Sequence, residues 1–182
     1  MKRIFIAIIF LIIICSCSSN DETNRLMKKM YGSYVNISLD SMKCWCPRND
    51  NYTCMDCDSK LTLVSYFDTS DCSLCYLQHL ELWNDFVKME KDYRGIIRFL
   101  FIIESRNGEG DLLYEQLGLT NLKHCIYIDV NKTFYRNNLQ IPPNRLFHTF
   151  LLDQNNRVVL VGDPLRNENI EQLFLQIIES NK

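Results

Sequence analysis

The sequence carries no excess of charge of either sign. Lys and Arg number 20 against 22 Asp and Glu, a formal net charge of −2. That leaves out the basic surface needed to neutralise a phosphate backbone, and no nucleic-acid partner is expected. A membrane-spanning stretch is missing as well. The longest apolar run, Ile4 to Ile14, is too short to cross a bilayer comfortably. Cysteine, by contrast, is abundant. Nine in 182 residues is high for a cytosolic chain and points to an oxidising compartment or a metal. The length suits one domain with appendages.

Met1-Lys2-Arg3 forms a positive region ahead of the apolar run, and Ile14-Cys15-Ser16-Cys17 follows it. An aliphatic residue three before a cysteine, with a small residue just before it, resembles the lipobox of bacterial lipoproteins. The resemblance implies a signal peptide over 1–16, cleavage before Cys17, and lipid on Cys17. Several acyl chains make a stable membrane anchor. The competing readings are an ordinary cleaved signal or a short anchor helix. Loss of Lys2 and Arg3 takes the formal charge to about −4. Residues 17–60 then read as a tether, an edge strand and a cysteine-rich arm, and 61–182 as the folded domain. Ser18 to Arg25 is polar, as a flexible tether would be. Tyr34 to Asp40 alternates apolar and polar residues, which predicts a half-buried strand at the edge of the sheet.

The arm carries Cys44, Cys46, Cys54 and Cys57, spaced C-x-C-x7-C-x2-C. Two disulfides between the 44/46 pair and the 54/57 pair are one reading, since a bridge within C-x-C would be strained. Four thiolates around a tetrahedral zinc are another, and partly free thiols a third. Cys54-Met55-Asp56-Cys57 is itself a C-x-x-C. A strand follows it rather than a helix, so it lacks the helix end that would activate a thiol.

Leu61 to Trp83 is the stretch around which the chain is organised. Leu61 to Phe67 is apolar, β-branched and aromatic, of strand length. Asp68 to Asp71 is a polar turn, and Leu74 to Met89 carries apolar residues at helical spacing. Cys72-Ser73-Leu74-Cys75 stands at the junction. At the start of a helix, unsatisfied amide groups and the positive dipole end stabilise a thiolate on the first cysteine. The second, one turn on, is close enough to pair with it. Cys75, Leu80, Trp83, Phe86 and Val87 are expected to face the sheet. His79, a lone histidine on this helix, is read as packed or surface rather than catalytic.

Gly95 to Ile103 is a near-continuous apolar run, as expected for a central parallel strand. Asp111 to Leu117 predicts a short helix capped by Gly118, His124 to Asp129 a strand, and Asn131 to Asn137 a short helix. Cys125 falls on a face of that strand and is read as a buried, inert thiol. Arg145 to Asp153 and Arg157 to Val161, joined by a polar turn, predict a hairpin. Asn167 to Ser180 predicts an amphipathic closing helix with Ile170, Leu173, Phe174, Ile177 and Ile178 inward.

This order resembles the thioredoxin superfamily, closest to its TlpA/ResA-like, or redoxin, branch. The likeness rests on the strand-turn-CxxC-helix of Leu61 to Trp83 and on Thr149-Phe150-Leu151-Leu152-Asp153 with the turn and Arg157-Val158-Val159. It covers about Leu61 to Ile178. It implies an α/β fold with a central mixed sheet flanked by helices and an inserted strand-helix segment at Cys125 to Asn137. Three departures stand out. The family's cis proline before the hairpin aligns with Phe147, where a trans bond is expected because a cis bond would cost about 3 kcal/mol. The usual tryptophan before the first cysteine is Asp71, a like charge that would raise the thiol pKa, or a helix N-cap. The acid that assists proton transfer in some relatives is Gln78.

Three functions compete. The first is a lipid-anchored thiol-disulfide oxidoreductase, leaning to reductase, in the cell envelope facing the periplasm or the exterior. Cys72 would be the nucleophile and Cys75 the resolving cysteine, with protein thiols or disulfides as partners and no organic cofactor. The second is a thioredoxin-like binding module whose Cys72–Cys75 disulfide only braces the fold. The third is copper handling of the Sco type by Cys72, Cys75 and His148.

Overall fold

A computed structural model of the chain describes residues 21–47, 58–69, 77, 79–106 and 108–182. Their framework is a six-stranded sheet. The strands are β1 (Lys43–Trp45), β2 (Leu61–Phe67), β3 (Ile97–Glu104), β4 (Ile126–Asp129), β5 (Thr149–Asp153) and β6 (Val158–Val161). Their order across the sheet is β1-β4-β3-β2-β5-β6. β3 runs parallel to β2 and to β4, while β1, β5 and β6 add antiparallel.

Both faces of the sheet are covered, and the period of two sorts the side chains between them. Leu63, Phe99, Phe101, Ile103, Ile126, Ile128 and Leu151 point to one core. Val64, Tyr66, Leu100, Ile102, Phe150 and Leu152 point to the other. Double burial is why β2 and β3 read as near-continuous apolar runs rather than alternating ones. The first core is closed by the chain after β2. Helical residues 77 and 79–81 pass through two 3-10 turns, Leu82–Asn84 and Phe86–Lys88, into the short helix Met89–Asp92. Leu80, Trp83 and Val87 are buried as expected, and Trp83 meets the rings of Phe86, Phe99 and Phe101 at 5.5–5.6 Å and 6.1 Å between centroids.

The closing helix, Glu168–Ser180, packs on the same core through Phe174 and Ile178. The Asn167 side chain caps it, accepting from the amides of Asn169 and Ile170. Leu173, expected inward, is exposed, because the apolar stripe is narrower than the sequence spacing suggests. On the second face, residues 21–30 are helical, so that 21–25 are not the flexible tether expected, and they bring Met30 into the core, where Phe134 of the helix Thr133–Asn137 and Phe147 join it.

The edge strand differs from the expectation. Tyr34 to Asp40 is not a strand; Tyr34 makes only an isolated bridge to Arg157. Val35 is fully buried, but the Asn36 backbone is held by a side chain. Asn138 accepts from the Asn36 amide at 2.7 Å and donates to its carbonyl at 2.9 Å, replacing a ladder partner. The edge is instead β1, from within the cysteine arm, paired with β4.

Candidate functional site

β2 is the strand that leads into the C-x-x-C motif, and its end is locked to the loop before β5. The Tyr66 amide donates to the His148 carbonyl at 2.9 Å, and the Ser65 and Thr149 hydroxyls lie 3.3 Å apart. That loop contains the 3-10 turn Arg145–Phe147, whose Asn144 side chain accepts from the Leu146 amide. Phe147 is buried, and among the described residues no peptide bond is cis. The position that aligns with the family's proline is therefore a trans aromatic anchor of the second core.

A cavity of about 500 Å³ opens here, lined among others by Ser65, Phe67, His79, Phe147, Asp163 and Ile170. His79 is packed, as read from sequence, and also paired: its Nε2 lies 3.2 Å from Asp163 Oδ2. Asp163 is held in place in turn, accepting from the Leu165 amide and meeting Arg166 at 3.4 Å. The ring of Phe67 stands edge-on to His79 at 6.2 Å. His148 behaves otherwise. Its Nε2–H donates to the Pro142 carbonyl at 3.1 Å within the core, and its ring lies against Tyr66. A nitrogen that carries this proton has no lone pair for copper, so Nε2 is not the nitrogen that could serve the Sco-like reading.

A second polar group lies beside the same strand end and was not legible in the sequence. Glu104, at the end of β3, is 8 % exposed. It accepts from the Tyr66 hydroxyl at 2.5 Å and from Thr69 Oγ1 at 3.2 Å, and it pairs with Lys132 at 2.7 Å. Burial first, then the Glu104 carboxylate, push the Tyr66 phenol far above its usual range, so it is a fixed donor at neutral pH. The sequence signal was a carboxylate closing an apolar strand, which reads equally well as the start of a turn.

Cys72 and Cys75 lie outside the described residues, as do Cys17, Cys54, Cys57, Asp71 and Gln78. The sulfurs that are described belong to Cys44, Cys46 and Cys125, and they correct two expectations. Cys125 is not a lone thiol: it forms a disulfide with Cys46, with Cα atoms 4.2 Å apart. The physical reason is register. Trp45 pairs with Ile126 in the antiparallel β1–β4 ladder, so the next residue on one strand and the preceding one on the other face each other. Cys46 is thus bridged to the sheet and not to the 54/57 pair. Cys44 is also disulfide-bonded, and its Sγ lies 3.8 Å from that of Cys46. The three sulfurs fall within 4.8 Å of one another.

No family model matches the sequence, and no curated protein matches it. Solved structures do match. One is a protein assigned as thiol:disulfide interchange protein DsbE from Chlorobium tepidum, at 14% identity and TM-score 0.50, covering 80% of this chain and 99% of that one. Another is a domain assigned as a possible thiol-disulfide isomerase from Cytophaga hutchinsonii, at 16% identity and TM-score 0.50, covering 82% and 94%. The fold is thioredoxin-like. The thioredoxin-like sheet, mixed and flanked by helices, is the one expected from the sequence. At these identities the likeness speaks to architecture alone. Among the described residues, no helix of this thioredoxin-like chain is long and apolar enough to cross a membrane.

Proposed function

We propose that this chain is a thiol-disulfide oxidoreductase, acting as a reductase outside the cytoplasm and held to a membrane by lipid on Cys17. The observation that carries the reading is where β2 ends. The central strand finishes at Phe67, five residues before Cys72, beside an open cavity flanked by the Phe147 loop and the His79–Asp163 pair. Catalytic residues in such folds gather at the ends of strands, on the loops that follow them.

In the proposed cycle the Cys72 thiolate attacks one sulfur of a partner protein's disulfide. That S–S bond breaks, a mixed disulfide forms, and the partner's other sulfur leaves as a thiolate. Cys75 then attacks the Cys72 sulfur, closing the Cys72–Cys75 bond and releasing the partner fully reduced. Two electrons pass from the enzyme's dithiol to the partner, and no organic cofactor takes part. The cavity gives an incoming chain room at the end of the strand that leads to the motif in sequence, and the exposed Leu146 among its lining offers apolar contact.

The test is a trap. With Cys75→Ser, the Cys72 mixed disulfide has no resolving thiol and accumulates on partner proteins, visible as adducts by mass spectrometry of cell extracts. Purified parent protein reduces insulin disulfides with a dithiol as electron source. Absence of both would reject the oxidoreductase. The binding-module reading draws on Phe147, a large buried side chain at a position where the family docks substrate backbone. It predicts no adducts and no insulin turnover.

A further inference from the structure

The three described sulfurs lie away from the end of β2. β1 and β4 stand three and two strands from β2 in the sheet, so Cys44 and Cys46 are displaced from it by about 14 Å, at about 4.8 Å per strand. Their placement is fixed by the ladder. Cys44 pairs with Tyr127, and Cys46 follows two residues on, so both project to the same face of the sheet as Cys125. Two thiolates bound to one tetrahedral zinc at about 2.3 Å stand roughly 3.8 Å apart. Cys44 and Cys46 already have that separation, 3.8 Å, and Cys125 lies within 4.8 Å of both. Cys44 and Cys46 are half-buried, which leaves them open to a reductant on one side, while Cys125 is buried against the sheet.

From this we infer that Cys44, Cys46 and Cys125 form a redox-gated site for a thiophilic cation of the zinc type. In the oxidised protein the Cys46–Cys125 bond and the Cys44 disulfide hold the sulfurs neutral, without the thiolate charge that makes a strong zinc ligand. An external dithiol delivers two electrons and two protons to each disulfide, giving thiols. The freed Cys46 and Cys125 sulfurs part from bonding distance to contact distance, which is the spacing a shared metal requires. Zinc then displaces the thiol protons. The backbone ladder holds the three residues in place through the change, since none of its hydrogen bonds involves a sulfur. This set differs from the four cysteines of the arm: the third ligand comes from the residue just before β4, 79 residues beyond Cys46.

The test uses the full chain with Cys72→Ser and Cys75→Ser, so that no other dithiol pair of the folded domain competes. The protein is reduced with a phosphine and titrated with Zn2+ alone, with Co2+ as a spectroscopic reporter. The expected result is one bound ion, thiolate-to-cobalt absorption, at least a hundredfold weaker binding in Cys125→Ser, and none in the oxidised parent. Should Cys125→Ser fail to fold, alkylation of the parent decides: bound zinc slows modification of Cys125 at least tenfold. Equal alkylation with and without zinc overturns the proposal. So does binding that survives Cys125→Ser but is lost in Cys54→Ser with Cys57→Ser, or binding by the oxidised protein as tight as by the reduced one.

Discussion

At the end of β2 polar side chains gather around open space, whereas at the β1–β4 edge the sulfurs close on one another. The first region holds His79 and Asp163 beside a cavity of about 500 Å³, with Tyr66, Thr69 and Glu104 alongside. Its groups come from four different stretches of chain, and the two carboxylates, Asp163 and Glu104, each hold more than one partner. The second region holds three sulfurs in and next to two paired strands, with the Cys46–Cys125 bond already made. The first leaves space beside the sheet without breaking it. In the second, changing the sulfurs changes what ties the edge strand down. One region is open and the other is closed on itself.

The sharpest way to break that contrast is to remove one cysteine from each region. Cys72→Ser should lower insulin reduction by about a thousandfold or more, since a hydroxyl cannot replace the attacking thiolate. Cys125→Ser should leave the rate within about threefold, because the edge site lies outside the proposed reaction path. Equal losses in both would mean that the two regions work as one. Stability should respond in the opposite sense. The Cys46–Cys125 bond closes a loop with a sequence separation of 79. Replacing both residues by serine should cost about 4 kcal/mol in urea unfolding, mostly through freedom returned to the unfolded chain. A loss under about 1 kcal/mol would show that the ladder alone holds β1.

The same contrast explains what could be read from the sequence. β2 and β3 were legible because Leu61 to Phe67 and Gly95 to Ile103 are near-continuous apolar runs, as burial on both faces favours. Trp83 and Phe174 were legible as core because helical spacing repeats around them. β1 was not legible: three residues carry no period, and only pairing with β4 makes them a strand. Tyr34 to Asp40 has the period of a strand, but the alternation there reflects one buried side, Val35, under a backbone tied by Asn138. At the site, the C-x-x-C motif speaks from its own spacing. The Cys46–Cys125, His79–Asp163 and Tyr66–Glu104 pairs do not, because each depends on the register or packing of segments far apart in the chain.

Phe147 allows a finer cut at the first region. Phe147→Pro, which introduces the proline of the family that the sequence resembles, should not give that family's loop. The Phe147 amide donates to the Asn144 carbonyl at 3.0 Å, and proline has no amide hydrogen. Its ring also leaves most of the phenylalanine's space in the second core unfilled. Together these should cost about 3 kcal/mol in chemical unfolding. A variant as stable as the parent would show that the loop accepts the family's geometry, and would weaken the binding-module reading.

The smallest expected effect concerns Tyr66 and Glu104, and it carries a pH signature. Tyr66→Phe removes a hydrogen bond to a buried carboxylate while keeping the ring, and should cost about 2 kcal/mol at pH 7. The Tyr66 phenol is raised in the folded protein above the ordinary tyrosine value of 10.0, by burial and by Glu104. A raised group contributes stability that is complete below its unfolded pKa and is lost as pH climbs through the interval to its folded pKa. Above about pH 10 the unfolded chain gives up this proton and the folded chain keeps it, which favours unfolding of the parent alone. The gap between parent and Tyr66→Phe should therefore be constant from pH 7 to 9 and narrow at pH 10.5 and 11, read from urea midpoints at each pH. Other tyrosines titrate in both proteins and cancel in the difference. A gap that stays constant to pH 11 would mean that Tyr66 ionises alike in both states, and that Glu104 is held by Lys132 and Thr69 without it.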